Sequence, residues 1–322
     1  MGKLHARVYS QMPRTRLVGV YDADPDVAKA TVSQYGGEVF DDIETLAERV
    51  GAVTVAVPTN AHAAVAEPFL KRRVACLIEK PIAKDVAEGR SLVNLAKERG
   101  AVLQIGHIER FNPVLRAMRR LDLSPRFIEV TRISPLTFRS IDVGVVLDMM
   151  IHDIDIVLML ARSPVAKLDA MGVNVIGGDV EDICNARITF ENGCVANITA
   201  SRLALKTERR MRVFCHDAYV SLDYQKKYGM VARRTPNISA IRDAVSKLKS
   251  GEIEDITQLN YAELVNVEEL QIDDVEPLRA ELDAFVDAVT GKCPPPVTGE
   301  DGLAAVELAT RIVEAIPPQK LG

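Results

Sequence analysis

The segment Val74-Ala75-Cys76-Leu77-Ile78-Glu79-Lys80-Pro81 sets an acid, a base and a proline at the end of a short apolar run. Such a run reads as a buried strand, and Glu79 and Lys80 then emerge at its carboxyl end, where open parallel sheets bind ligands. A second set follows in the apolar stretch Val143 to Leu160, where Asp148, His152 and Asp155 recur at i, i+4 and i+7. On one helix they share a face, and charges in so apolar a helix are costly unless paired or employed. A carboxylate one turn from an imidazole can fix its tautomer and raise its basicity, as a general base for an alcohol requires. Each set alone also has a plain structural account. Glu79-Lys80 can be a solvated strand end stopped by Pro81, and helix-face polar groups can look at solvent, as expected of Asp153. A metal site is not expected, because no nearby cysteine or histidine supplies a further ligand.

The elements around these residues alternate. Leu4 and Val8 suggest an initial helix, Leu17 to Asp22 a strand, and Val27 to Tyr35 a helix. The pattern repeats with Ile43 to Val50, Ala52 to Val57, His62 to Lys71, the Val74 run, Asp85 to Arg99 stopped by Gly100, and Val102 to Ile105. Strands separated by helices predict a parallel, doubly wound sheet. Asp22 lies 20 positions after Gly2, the spacing of a glycine turn and a ribose-binding acid, but Asp22-Ala23-Asp24-Pro25 equally suits a helix cap.

After Phe111 the texture changes. A helix from Pro113 to Leu121 and a strand from Phe127 to Ile133 precede the Val143 helix. Strands are then expected at 168–176, 185–190, 193–201, 209–216 and 218–224, forming a largely antiparallel sheet. Residues 225–258 read as an excursion with one helix at 238–248; a strand at 264–267 and helices at 277–290 and 299–315 close the chain. The division expected is 1–106, 107–297 and 298–322.

The 322 residues are 48% hydrophobic and 26% charged, enough for two cored domains. A net charge of -5 gives no global attraction to nucleic acid or an anionic membrane. Five cysteines without C-x-x-C spacing, no apolar run of membrane-span length and no signal-peptide core point to a soluble cytoplasmic protein.

Several motifs together resemble the Gfo/Idh/MocA family of NAD(P)-dependent sugar and polyol dehydrogenases. They are Gly2-x-x-His5-Ala6, Asp22, Pro58-Thr59-Asn60-x-His62, Glu79-Lys80-Pro81, Arg110-Phe111-Asn112-Pro113 and Asp148-x-x-x-His152-x-x-Asp155. Within the family, the runs Gly106 to Pro113 and Leu147 to Asp155 are most similar to those of UDP-N-acetylglucosamine 3-dehydrogenases.

The resemblance implies an α/β fold: a Rossmann-type sheet, an α+β domain with a large open-faced sheet, and a C-terminal helix returning to the cofactor domain. It implies that Lys80, His152 and Asp148 are catalytic. NAD, in preference to NADP, would be held by Gly2, His5, Asp22, Pro58, Thr59, Asn60, His62, Glu79, Lys80 and Pro81, with the Lys80-Pro81 bond often cis. Substrate would meet Lys80, Arg110, Asn112, Asp148 and His152. For a UDP-sugar diphosphate, Arg110, Arg202, Arg209, Arg210 and Arg212 are available, though surface arginines are more often simply solvated. A homodimer or homotetramer through the open sheet is also implied. Alternatives are oxidation of a free sugar or inositol, and a catalytically weak sugar-binding or regulatory relative. The family's first strand and its Gly-x-Gly have no counterpart before Gly2. The expectation is therefore that the chain lacks part of its natural N-terminus.

Overall fold

The computed structural model describes residues 1–137, 142–234, 246, 248–251 and 265–318. The helix expected at 238–248 lies, apart from 246 and 248, outside the described residues. In chain order the first half contains α1 (Gly2–Ser10), β1 (Gly19–Val20), α2 (Pro25–Tyr35), β2 (Glu38–Val39), α3 (Ile43–Arg49) and β3 (Ala52–Val55). It continues with α4 (His62–Lys71), β4 (Ala75–Glu79), α5 (Val86–Arg99), β5 (Leu103–Gly106) and α6 (Pro113–Met118). Then come β6 (Pro125–Ile133), a π-helical turn (Val146–Met150), α7 (Ile151–Ala161), β7 (Val165–Val173), β8 (Ile183–Phe190) and β9 (Val195–Ser201). Last are β10 (Glu208–Cys215), β11 (Ala218–Asp223), β12 (Tyr228–Arg234), β13 (Val265–Glu269), α8 (Pro277–Val289) and α9 (Gly299–Ala315).

The first half forms the expected parallel strands, in two pieces. β1 pairs with β2, and β3, β4 and β5 form a separate three-stranded sheet. Between the pieces runs a groove of about 570 Å³, walled by Val18 and Val20 on one side and Val53 and Val55 on the other. β4 is central and buried at each of its five residues, consistent with an apolar run that has strands on both flanks. Helix ends follow local chemistry. The Asp85 carboxylate accepts from Glu88 N at the start of α5, and Gly100 ends that helix in the left-handed region at φ 64°.

The second half is an eight-stranded sheet in the order β13-β12-β11-β10-β6-β9-β8-β7. Its pairs are antiparallel except for β6 and β9, which run parallel. β12 lies inside the stretch read as an excursion. Basic residues obscure its apolar alternation, but the Asp223 carboxylate accepts from Gln225 N and Lys226 N and folds the chain back onto β11.

Two late helices return to the first sheet. α8, grouped by sequence with the second domain, packs Leu278, Leu282 and Phe285 against Val8 of α1 and Leu77 of β4. α9 crosses β5, and Gly302 permits the approach: a Cβ there would come 2.6 Å from Ile105 Cγ1. Among the described residues no helix is long and apolar enough to cross a membrane.

Candidate active site

Lys80 leaves the end of β4 and meets the π-helical turn. Its Nζ donates to the Asp148 carbonyl at 2.8 Å and lies 3.9 Å from Asp148 Oδ1. Burial pulls the Lys80 ammonium below its ordinary value, while Asp148 and Glu79 oppose that shift. The Lys80-Pro81 bond is cis. His62 ties the neighbouring loops together, Nδ1–H donating to the Pro81 carbonyl at 2.8 Å with Nε2 3.0 Å from the Val57 carbonyl.

The segment enters α7 through a π-helical turn, which takes one more residue per turn than an α turn. Asp148 is turned to Lys80, and His152 Nδ1 has no hydrogen-bond partner among the described residues. Burial holds His152 well below the ordinary imidazole value, reinforced by Lys80, Arg132 and nearby His107. A neutral imidazole beside an ammonium can accept a proton while the ammonium favours a developing alkoxide.

Asp155 serves elsewhere. It takes a bidentate pair from Arg110, with Nε to Oδ2 at 2.7 Å and Nη2 to Oδ1 at 2.6 Å. Arg110 also donates to the Pro296 carbonyl and lies 3.3 Å from Asp301 of α9. Its guanidinium, 4% exposed, thus holds β5, α7 and α9 together and is not presented to a ligand. Asn112 is likewise engaged, its Oδ1 capping α6 at Val114 N and its Nδ2 donating to Glu109.

Asp153, expected at solvent, is fully buried. It forms a bidentate pair with Arg132 at 2.6 and 2.9 Å, and Arg132 donates also to Glu109 at 3.2 Å. The reason is that α7 is packed between α9 and strands β6 and β9 of the large sheet, and Asp153 lies on a side of it that this packing buries. Arg132 and Glu109 were not singled out by sequence. The available signal was an arginine at a core position in the alternating strand Ile128-Val130-Arg132.

Strand parity sorts the remaining arginines. Arg209 shares the side of Met211 and Val213 that faces α7, and its Nη1 lies 3.6 Å from Glu109. Arg210 and Arg212 point to the open face, paired with Asp223 and Glu129. Arg202 is buried against Asp182 and the Val143 carbonyl.

The cofactor candidates fall into two groups. Gly2, His5 and Asp22 line the groove between the sheet pieces. Asp24 Oδ1 caps α2 by accepting from Asp26 N, so the exposed Asp22 is not needed as the cap. A Cβ on Gly2 would find only Ala56 Cβ within reach, at 3.9 Å. A carboxylate that can accept from a ribose diol and an uncrowded helix start with N–H donors are features that suit a dinucleotide. Pro58, Thr59 and Asn60 lie in the turn after β3, toward His62 and Lys80. His5 connects the groups, its Nε2 2.9 Å from Glu79 Oε1.

Comparison with known proteins shows the family and the fold. Residues 1–107 match the model of the Gfo/Idh/MocA oxidoreductase family, NAD-binding Rossmann fold, and 129–221 that of a Gfo/Idh/MocA C-terminal domain. UDP-N-acetylglucosamine 3-dehydrogenase of Acidithiobacillus ferrooxidans is 37% identical over 265 residues, covering 79% of this chain and 84% of its own. A solved structure of that enzyme superposes with a TM-score of 0.86 at 31% identity, over 98% of this chain and 94% of that one. An inositol 2-dehydrogenase of Rhizobium meliloti is 26% identical over 99% of this chain and 95% of its own. The chain belongs to the Gfo/Idh/MocA family of NAD-binding oxidoreductases and is a sugar or polyol dehydrogenase.

Proposed function

We propose that the protein oxidises a secondary hydroxyl of UDP-N-acetylglucosamine, at C3 of the sugar, with NAD as electron acceptor. The observation that carries the reading is the meeting of Lys80, from the end of β4, with Asp148 and His152 at the far side of the His5–Glu79 link from the Asp22 groove. NAD, when bound, supplies the acceptor for the electron pair leaving the sugar carbon. Asp22, Gly2 and His5 would hold its adenosine end, and Thr59, Asn60 and Lys80 its nicotinamide end. Asp22 repels a 2'-phosphate, which favours NAD over NADP.

Within the site, Lys80 donates to the substrate oxygen and steadies the negative charge that develops there. His152, held neutral, takes the hydroxyl proton. Asp148 orients Lys80 through its carbonyl and carboxylate. Arg209, half-exposed on the α7 side of the sheet, is the arginine this reading assigns to the diphosphate. A second copy covering the open sheet face, where Met171 and Val173 are exposed, is the assembly that accompanies the reading.

The test is NADH formation with UDP-N-acetylglucosamine, N-acetylglucosamine and myo-inositol, each with a trap for the ketone. Turnover confined to the UDP-sugar is expected. Equal or better turnover of inositol would instead favour the free-polyol reading suggested by the Rhizobium meliloti relative. The pH profile gives a second expectation. Because His152 is held below its ordinary value, kcat/KM stays level down through about pH 6.5 and its acid limb falls lower. An acid limb above that point would exclude His152 as the base.

Asp22→Ala is expected to narrow the preference for NAD over NADP without loss of fold, since Asp22 is exposed and caps no helix. The ratio of kcat/KM for the two dinucleotides measures it.

A further inference from the structure

A buried polar cluster outside the reacting groups lies where α8 crosses the first sheet. Glu281 of α8 is fully buried, and neither of its carboxyl oxygens has a hydrogen-bond partner among the described residues. Beside it Gln104 of β5, also fully buried, donates Nε2 to the Glu281 carbonyl at 3.3 Å and leaves its own Oε1 unpartnered. His5, 2% exposed, completes the set: Nε2 faces Glu79 Oε1 at 2.9 Å and Nδ1 is unpartnered.

We propose that Glu281 is a positioning residue that carries its proton in the folded protein and, as a hydrogen-bond donor, locks the His5–Glu79–Gln104 cluster and thereby the strand end bearing Lys80. This rests on the functional reading above for the role of Lys80, but not for the state of Glu281.

The argument is one of donors and charge. Glu281 Oε1 and Oε2 and Gln104 Oε1 are all acceptors, and acceptors cannot satisfy one another. One proton on Glu281 converts an acceptor into the missing donor. The charge count agrees. The titratable groups that act on or feel Glu281 are Glu79 from β4 and Tyr9 from α1, with His5 behind Glu79. His5 is engaged with Glu79, and among the described residues no basic side chain pairs with the Glu281 carboxyl. Burial first, and repulsion from Glu79 second, push Glu281 well above the ordinary carboxyl range.

The consequence reaches the active site through covalent and packing neighbours. Glu79 precedes Lys80, and its carboxylate lies over Gly106, where a Cβ would come 3.2 Å from Glu79 Oε2. Leu278 and Leu282 on the same helix pack against β4. A neutral donor at 281 therefore sets how Glu79, and with it Lys80, leaves the sheet.

The experiment compares the parent chain with Glu281→Gln, which keeps a donor but has no proton to lose, and Glu281→Leu, which has no donor. Urea midpoints, hydrogen exchange in the peptide 75–83 and steady-state kinetics are measured on each. Folding takes up a proton at a group whose folded pKa is raised. The stability this contributes is present below the unfolded carboxyl pKa and is lost as pH rises toward the folded one. The Glu281→Gln midpoint should accordingly gain on the parent as pH rises above the ordinary carboxyl range, with parent-like exchange and kcat. Glu281→Leu should exchange faster in 75–83 and lose about 10²-fold in kcat at unchanged KM for the sugar. A Gln-minus-parent difference independent of pH, or parent-like exchange in Glu281→Leu, would overturn the proposal. If the parent turns over no sugar, the functional reading fails, and the midpoints and exchange still decide this one.

Discussion

Replacing Lys80 with alanine is expected to leave a folded protein whose kcat is lower by about 10²–10⁴-fold, the range contributed by a single acid-base or charge-stabilising group. Fold is retained because the lysine lies past the last residue of β4 and does not fill the core: the packing of that strand rests on Leu77 and Ile78, both fully buried. The loss is in turnover because the ammonium donates to the Asp148 carbonyl beside His152, and its stabilisation is needed only when negative charge develops on the substrate oxygen. Lys80→Arg should not restore activity, since a planar guanidinium cannot take the place of a compact ammonium held between a carbonyl and a carboxylate. Steady-state kinetics at saturating UDP-sugar and NAD, with circular dichroism as the control for fold, measures this. Wild-type kcat in Lys80→Ala would remove Lys80 from the chemistry.

Loss of the Asp153 carboxylate should have the largest effect on stability. Asp153→Ala leaves Arg132, 3% exposed, with Glu109 as its remaining close anion at 3.2 Å and without its bidentate partner. Breaking a buried pair by removing one member costs about 3–5 kcal/mol, a large fraction of the total stability of most domains. Burial opposes the charge on Arg132, and the two carboxylates overcome that and raise its pKa, so the arginine cannot escape by losing its proton. Urea unfolding should give a midpoint lowered by that free energy divided by the slope, with the slope unchanged. Removing both partners, Arg132→Met with Asp153→Leu, should recover part of the loss, because the apolar pair needs no compensation and Glu109 keeps Arg209 at 3.6 Å. A single Asp153→Ala variant as stable as the parent would mean that water reaches the pair.

Much of the first domain could be read directly along the chain. His62 to Lys71 and Gly299 to Ala315 form helices with the bounds expected, and the Asp85 cap and Gly100 stop define α5 as expected. These features are local: caps, glycine in the left-handed region, and apolar period act within a few residues. β12 escaped notice because its alternation is carried by Gly229 and Val231 among basic residues, and its pairing with β11 creates the strand. The turn at Val146–Met150 is π-helical where uniform α geometry was expected, a local widening that the apolar period does not signal.

By itself, the sequence determined the class of chemistry, and it offered candidates to perform it: a lysine at a buried strand end, a histidine in an apolar helix, and an acid after β1. It also determined that strands and helices alternate in the first half and that strands dominate the second, because side-chain period is written into the chain. Only the tertiary structure decided which charges meet. Asp153 pairs with Arg132 from 21 positions away, Asp155 with Arg110 from 45, and Glu281 comes to lie beside Gln104 from 177. Such partners have no local signature, since a buried charge is neutralised by whichever group the packing of separate elements brings within reach.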